Sequence, residues 1–353
     1  MHLNAHLGPT VTYRRSFKEM SEKVNEKKNA ISIYACGGAA CNIAVQLEQT
    51  LGSDVRAGFA IADIVYIDTS KSNLAGVSKD AKTYLFEGLD GSGKIRKENY
   101  TLISESIFDI LLKHPPENIS IVISSLAGGS GSTIAPALVS ELLSRQKLVV
   151  VIGITSTDSR IEIDNCIKTL KSYEAIATLR KLPVVMLSYN NCKETPRATV
   201  NEAVVADTVR LSALFSGQNS ELDSSDLRNW LQYTRVIDRI EPKLVSMKFA
   251  DQAFDPDKAQ VLTSATLAYS GMDTSIGHPV DYQCVGFIAK DNEGNIKLKS
   301  ATHYLVVDGP IRQIFNNLQA EVTKIDEAAK ARKRTEQSLV SDSDNVQSDG
   351  IVL

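Results

Sequence analysis

ISIVISSLAGGSGST, residues 119–133, is the stretch on which the fold turns. Residues 119–124 form an apolar run rich in β-branched side chains, with no polar alternation, as in a strand buried on both faces. Gly128, Gly129 and Gly131 follow, interleaved with Ser130, Ser132 and Thr133, and residues 134–144 carry a helical pattern. Glycines let the backbone turn tightly and bring several N–H groups to one point. The helix N-terminus adds partial positive charge, and the hydroxyls are further donors. The stretch therefore fits a cradle for a phosphate chain. The plainer alternative is a flexible strand–helix turn.

Working outward, the same unit repeats. A strand at 30–35 runs into Gly37-Gly38 and a helix at 41–50, and a strand at 64–67 closes on Asp68-Thr69-Ser70. A helix at 102–112 ends before Pro115-Pro116, which cannot continue it. Strand 148–154, helix 162–179 and strand 183–187 complete the pattern of a parallel sheet covered on both faces. Residues 197–215 read as one long helix, followed by a loop at 216–226 and a helical stretch at 227–233. After Pro242 the texture changes: strands at 245–249, 261–269, 284–289, 296–298 and 302–307 predict a mainly β second domain, with a hairpin turn at 291–294. A long helix dense in Lys, Arg and Glu begins at Pro310. Residues 338–353 are rich in Ser and Asp and are expected to be disordered. Residues 1–29 read as a polar extension with a short helix at 16–28.

The 353 residues, 43% of them hydrophobic, suffice for one large core or two smaller ones. A net charge of -3 argues against a dedicated nucleic-acid binder. No apolar run approaches the roughly 18–20 residues that span a bilayer, and the polar start is not a secretory signal. The five cysteines (Cys36, Cys41, Cys166, Cys192, Cys284) are scattered without a CxxC, which fits a reducing compartment and argues against a disulfide framework or a cysteine zinc site. The absence of HExxH argues against a His-rich hydrolytic metal site as well.

Two further loops are candidates for anion binding. Gly37-Gly38-Ala39-Ala40-Cys41-Asn42 lies between strand and helix but lacks a full GxGxxG. Residues 88–94 nearly match the Walker pattern through Gly88, Gly93 and Lys94, but Ile95 replaces the Ser or Thr that holds magnesium. A loop touching a terminal phosphate through Gly91 and Ser92 fits better, with Lys94 or Arg96 adding charge; the alternative is a surface turn. Finally, Asp223 and Asp226 stand three residues apart at a helix start. Alone, Asp226 or either neighbouring serine would be read as a helix cap.

In order and spacing, these motifs resemble the tubulin/FtsZ superfamily of cytoskeletal GTPases, and the layout is most similar to phage tubulins of the PhuZ type. Residues 127–133 are similar to the family's GGGTGTG signature, with Ser130 and Ser132 in place of threonines. Residues 37–43 are similar to its first nucleotide loop, with Ala40 where glycine is usual. The resemblance implies that Asn42 reaches base and ribose, that Asp68-Thr69 is the second loop, and that 155–160 is the sugar-contacting loop, here without its usual proline and EG pair. It implies a base contact from Asn190 or Asn191 and another from Asn201. Asp223 and Asp226 match the acidic positions of the catalytic NxDxxD loop, with Glu221 replacing its Asn. The nucleotide-binding set is thus Gly37, Gly38, Ala39, Asn42, Asp68, Thr69, Gly91, Ser92, Gly128, Gly129, Ser130, Gly131, Ser132, Asn190 and Asn201.

The fold so implied is α/β: a parallel, Rossmann-like GTPase domain over 30–196, a central helix over 197–216, and a catalytic loop with an α+β activation domain over 217–309. A C-terminal helix (310–337) and an acidic flexible tail (338–353) follow, the tail contacting a neighbouring subunit. The implied activity is hydrolysis of GTP to GDP, with Mg2+, where one subunit's acidic loop meets the next subunit's nucleotide in a head-to-tail filament. Such a filament would position phage DNA or a replication compartment in a bacterial host's cytoplasm, through a phage or DNA-associated cargo protein and without a membrane. A plasmid-segregating TubZ-like or an FtsZ-like filament is the alternative. From other classes, a monomeric Rossmann-like enzyme lacks GxGxxG, a P-loop kinase fails at Ile95, and a tubulin-like protein that binds GTP without hydrolysis stays open.

Overall fold

The computed structural model describes residues 29–51, 59–97, 99–250, 259–288 and 298–333. The extension at 16–28, the hairpin turn at 291–294 and the tail at 338–353 lie outside them, as does most of the strand expected at 296–298.

Ten strands form one sheet in the order β3-β2-β1-β4-β5-β6-β7-β10-β8-β9. The parallel part comprises β1 (Ala30–Cys36), β2 (Ile61–Asp68), β3 (Lys82–Leu85), β4 (Ile119–Ser125), β5 (Leu148–Ser156), β6 (Val184–Asn191) and β7 (Leu244–Phe249). Then β10 (Thr302–Asp308) runs antiparallel between β7 and β8 (Gln260–Tyr269), and β9 (Tyr282–Ile288) pairs parallel with β8. The strands after the central helix therefore extend the same sheet. Every residue of β5 is buried, as the unbroken apolar run requires.

The helices are α1 (Gly38–Leu51), α2 (Tyr100–Lys113), α3 (Gly131–Ser144), α4 (Arg160–Arg180), α5 (Arg197–Phe215), α6 (Ser224–Leu231) and α7 (Pro310–Lys333). One core lies between the sheet and α1, α5 and α6; the other lies under α2, α3, α4 and α7. None of the described helices is long and apolar enough to cross a membrane.

Three departures from the sequence reading bear on the site. Both glycine loops are already helical, since α1 starts at Gly38 and α3 at Gly131. Strand β6 extends to Asn191, so Asn190 and Asn191 sit on a strand rather than after one. Helix α6 starts at Ser224, which makes Asp223 its N-cap and puts Asp226 in its first turn. The chain leaves β1 toward one sheet edge and returns at β4 on the other side. The crevice between them, at the carboxyl ends of the strands, is a topological switch point where open α/β sheets bind ligands.

Candidate functional site

A cavity of about 500 Å³ opens at that switch point. The two glycine loops interlock to form its floor. Gly37 has φ +85, and a Cβ on it would lie 2.8 Å from the nitrogen of Gly131; a Cβ on Gly131 would lie 2.5 Å from the carbonyl oxygen of Cys36. Gly129 is closed off by Ser92, whereas a Cβ on Gly128 would meet nothing within 4 Å. Close packing thus requires Gly37, Gly129 and Gly131, while Gly128 presents backbone to open space. The first turns of α1 and α3 converge here, so two sets of free N–H groups and two positive dipole ends face one cavity.

The hydroxyls are arranged differently from the expectation. Ser132 donates to the carbonyls of Gly128 and Gly129, and Thr133 to that of Gly129. Ser132 is buried and does not line the cavity, so it braces the loop instead of offering a donor to a ligand. Ser130 does line it, and its hydroxyl is 2.6 Å from that of Thr69 and 3.1 Å from that of Ser92. This hydroxyl cluster ties the signature to the loops after β2 and β3. Gly91, Ser92 and Gly93 line the same wall.

Arg96 was expected to add charge at a terminal phosphate. Its Nη2 instead donates to the Ser132 carbonyl at 3.0 Å. Pro136 explains the need: lacking an N–H, it cannot supply the helical bond that Ser132 would otherwise accept. Lys94 is paired with Glu162 at 2.9 Å. Glu162, in the first turn of α4, is the one carboxylate among the described cavity-lining residues. Its burial opposes ionisation, but bonds from Lys94, Ser159 and Ser156 outweigh that and hold it below the usual carboxylate range. Burial pushes the Cys36 thiol well up, so this wall carries no thiolate.

Of the expected binding residues, Gly37, Gly38, Ala39, Asn42, Gly91, Ser92, Gly128, Gly129, Ser130, Gly131 and Asn201 line the cavity. Asp68, Thr69, Ser132 and Asn190 do not. Asp68 is fully buried and accepts from the backbone of Thr69 and Ser70 and from Asn73, so it shapes the loop from beneath. Asn191 faces the cavity; Asn190 points to the other side of β6, where it accepts from the Thr155 hydroxyl. Successive residues of a strand face opposite ways, so of the two Asn191 is the one that lines this cavity. Asn42, Asn191 and Asn201 all line the cavity, and their amide donors and acceptors are of the kind that can pair with the edge of a purine. Asn73, Glu162 and Arg197 also line it. The sequence motifs point to none of these three, although the acid opening α4 and the first residue of α5 are signals that the sequence carries.

The acidic pair lies at the far end of the sheet. Arg228 on α6 donates to the carbonyl of Gln146, just before β5 begins, whereas the cavity is lined by Ile154, Thr155 and Ser156 where β5 ends. At roughly 3.3 Å per residue the two ends of β5 are about 26 Å apart. Asp223 accepts from the backbone of Ser225 and Asp226, and Asp226 accepts in return from the Asp223 backbone, which is a capping box. By sequence alone the cap falls to Asp226 or a serine; Asp223 holds it, being the last extended residue before the helix. Asp226 also accepts from the Tyr282 hydroxyl at 2.6 Å. The sole tryptophan, Trp230, is buried beneath and donates to the carbonyl of Tyr304, anchoring α6 to the sheet. Asp223 remains exposed at this pole.

No protein-family model matches the chain. A phage tubulin-like protein of Pseudomonas phage PhiPA3 is 26% identical over 323 residues, covering 91% of this chain and 98% of that protein. A TubZ protofilament from bacteriophage PhiKZ superposes with a TM-score of 0.75 at 29% identity, covering 91% of this chain and 98% of its own. The phage tubulin PhuZ solved with GDP superposes with a TM-score of 0.76 at 21% identity, covering 92% of this chain and all of its own, which speaks to the fold alone. The chain thus has the tubulin/FtsZ fold, and its sequence is similar to the phage tubulin-like proteins along nine-tenths of its length.

Proposed function

We propose that the protein is a GTPase that assembles head to tail into filaments, hydrolysing GTP where one subunit's acidic pole meets the next subunit's nucleotide. One observation carries this reading: the anion cradle and the acidic pair occupy opposite ends of β5, too far apart to act within one chain. Stacking in one orientation brings them together. The interface is then heterologous and, if its rotation does not close, it grows. The similarity to a PhiKZ protofilament supports the same arrangement.

In this reading the backbone N–H groups at the starts of α1 and α3 hold the phosphates, and the asparagines at 42, 191 and 201 hold guanine. A magnesium ion fits as one carried mainly by the phosphates, as such ions often are, because Glu162, the one carboxylate among the described lining residues, is engaged by Lys94. It would neutralise phosphate charge. Asp223 and Asp226 orient and polarise the attacking water from the neighbouring subunit, so catalysis is positioning and electrostatics. The residues after the central helix serve as the activation domain, and the acidic tail docks on the neighbour. Positioning of phage DNA or a replication compartment in the host cytoplasm is the cellular role that goes with the phage relatives. Plasmid-type or division-type filaments are the alternative.

The test is light scattering and phosphate release with GTP against GDP, followed by electron microscopy. Filaments with GTP, and phosphate release that rises steeply with protein concentration, are expected. Asp223→Ser keeps a good N-cap but removes the charge. It should slow release at least about tenfold with unchanged melting. A single particle that never consumes GTP would end this reading.

A further inference from the structure

A second cavity, of about 560 Å³, lies on the other face of β6, between the ends of β5, β6 and β7 and the upper half of α7. Its electrostatics are unusual. Lys248 of β7 lines it, is only partly exposed, and makes no hydrogen bond or ion pair among the described residues. Burial, with minor relief from Asp207, holds its pKa below the usual lysine value. Of the carboxylates at the rim, Glu321 pairs with Lys324 at 2.6 Å, and Glu194 is exposed to solvent. Neutral donors line the same groove. The Asn190 oxygen is taken by Thr155, which leaves its amide N–H groups for the groove, and the hydroxyls of Thr157 and Ser188 are there too. Ile314 and Leu318 of α7 supply an apolar wall.

We propose that this groove is a carboxylate-binding site centred on Lys248. A partly buried ammonium with no ion-pair or hydrogen-bond partner among the described residues is costly, and a single anion with hydrogen-bonding oxygens removes that cost. One unpaired cation among neutral donors, with acids on the rim, selects a monoanion over a phosphate chain. The apolar wall selects a carboxylate on a short hydrocarbon stem. Two sources present that group: a free short-chain monocarboxylate, or an Asp or Glu side chain of a second copy. The first is independent of the filament reading; the second rests on it.

The experiment is trace amine labelling of the full chain with an N-hydroxysuccinimide ester, read by mass spectrometry, with exposed Lys82 as internal reference. In the first arm, nucleotide-free protein is titrated with butyrate, and with butyramide as the neutral isostere. Occupancy by butyrate should cut Lys248 labelling about tenfold at ten times the dissociation constant. Butyramide should change nothing. In the second arm, filaments are pelleted and labelled, and the critical concentration is measured for Lys248→Met and Lys248→Arg. If a second copy supplies the group, Lys248 is protected only in filaments, Lys248→Met raises the critical concentration and Lys248→Arg restores it. Protection by butyrate alone assigns a free acid. Equal effects of butyrate and butyramide, together with assembly indifferent to Lys248→Met, overturn the proposal. If GTP produces no filaments, the filament reading fails while the first arm still decides this one.

Discussion

Glu221 has φ +71, in the left-handed region that costs a non-glycine residue about 1–2 kcal/mol. It is also the position where the resemblance to the tubulin/FtsZ catalytic loop breaks, since that loop carries Asn there. The two facts have one physical root. Asparagine's short amide bonds its own backbone and tolerates this conformation, whereas glutamate's longer side chain does so poorly. Glu221 is exposed and sits two residues before the N-cap of α6, so the strain is local to the acidic loop. Glu221→Asn should therefore stabilise the chain by about 0.5–1 kcal/mol. The check is a urea titration, in which the midpoint rises and the slope stays constant. A lowered midpoint would mean that the glutamate makes a compensating contact in solution.

At the scale of elements, α3 carries a proline in its body and an arginine that repairs it. Arg96 reaches over from the loop before α2 to satisfy the Ser132 carbonyl that Pro136 leaves without its helical donor. Truncating it should expose that deficit. Arg96→Met should cost about 1–3 kcal/mol in the native background. In a Pro136→Ala background the helix supplies its own donor, so the same truncation should cost about 1 kcal/mol less. Additive effects in this double-mutant cycle would remove the compensation. The pair also shows what a sequence can disclose. The apolar strands and the glycine turns between strand and helix are local patterns, and they were legible. Strand β3 was not, because Lys82–Leu85 is four residues long with none of them buried. The helical starts at Gly38 and Gly131 were hidden because glycine reads as a breaker until tertiary packing fixes it. Which hydroxyl of the signature faces the cavity depends on the turn of α3, and Ser132 was misjudged for that reason. Arg96 looked like a phosphate ligand because the carbonyl it serves is 36 residues away.

For the whole molecule, the separation of cradle and acids makes a prediction that no single-chain enzyme shares. A subunit with a blocked cradle still presents a good acidic pole, and a subunit with a neutral acidic pole still holds nucleotide. Gly128→Val is suited to the first role, because its Cβ points into open cavity and leaves the interlocked glycines untouched. Asp223→Ser is suited to the second, because serine keeps the cap on α6. Each variant alone should release little phosphate. In a random 1:1 copolymer, one junction in four joins an intact cradle to an intact acidic pole, so release should recover to about a quarter of the native rate. Co-pelleting of both variants establishes that the copolymer forms. If the mixture is then no faster than the two variants measured apart, hydrolysis does not occur across a junction, and the opposite placement of the two halves has some other purpose.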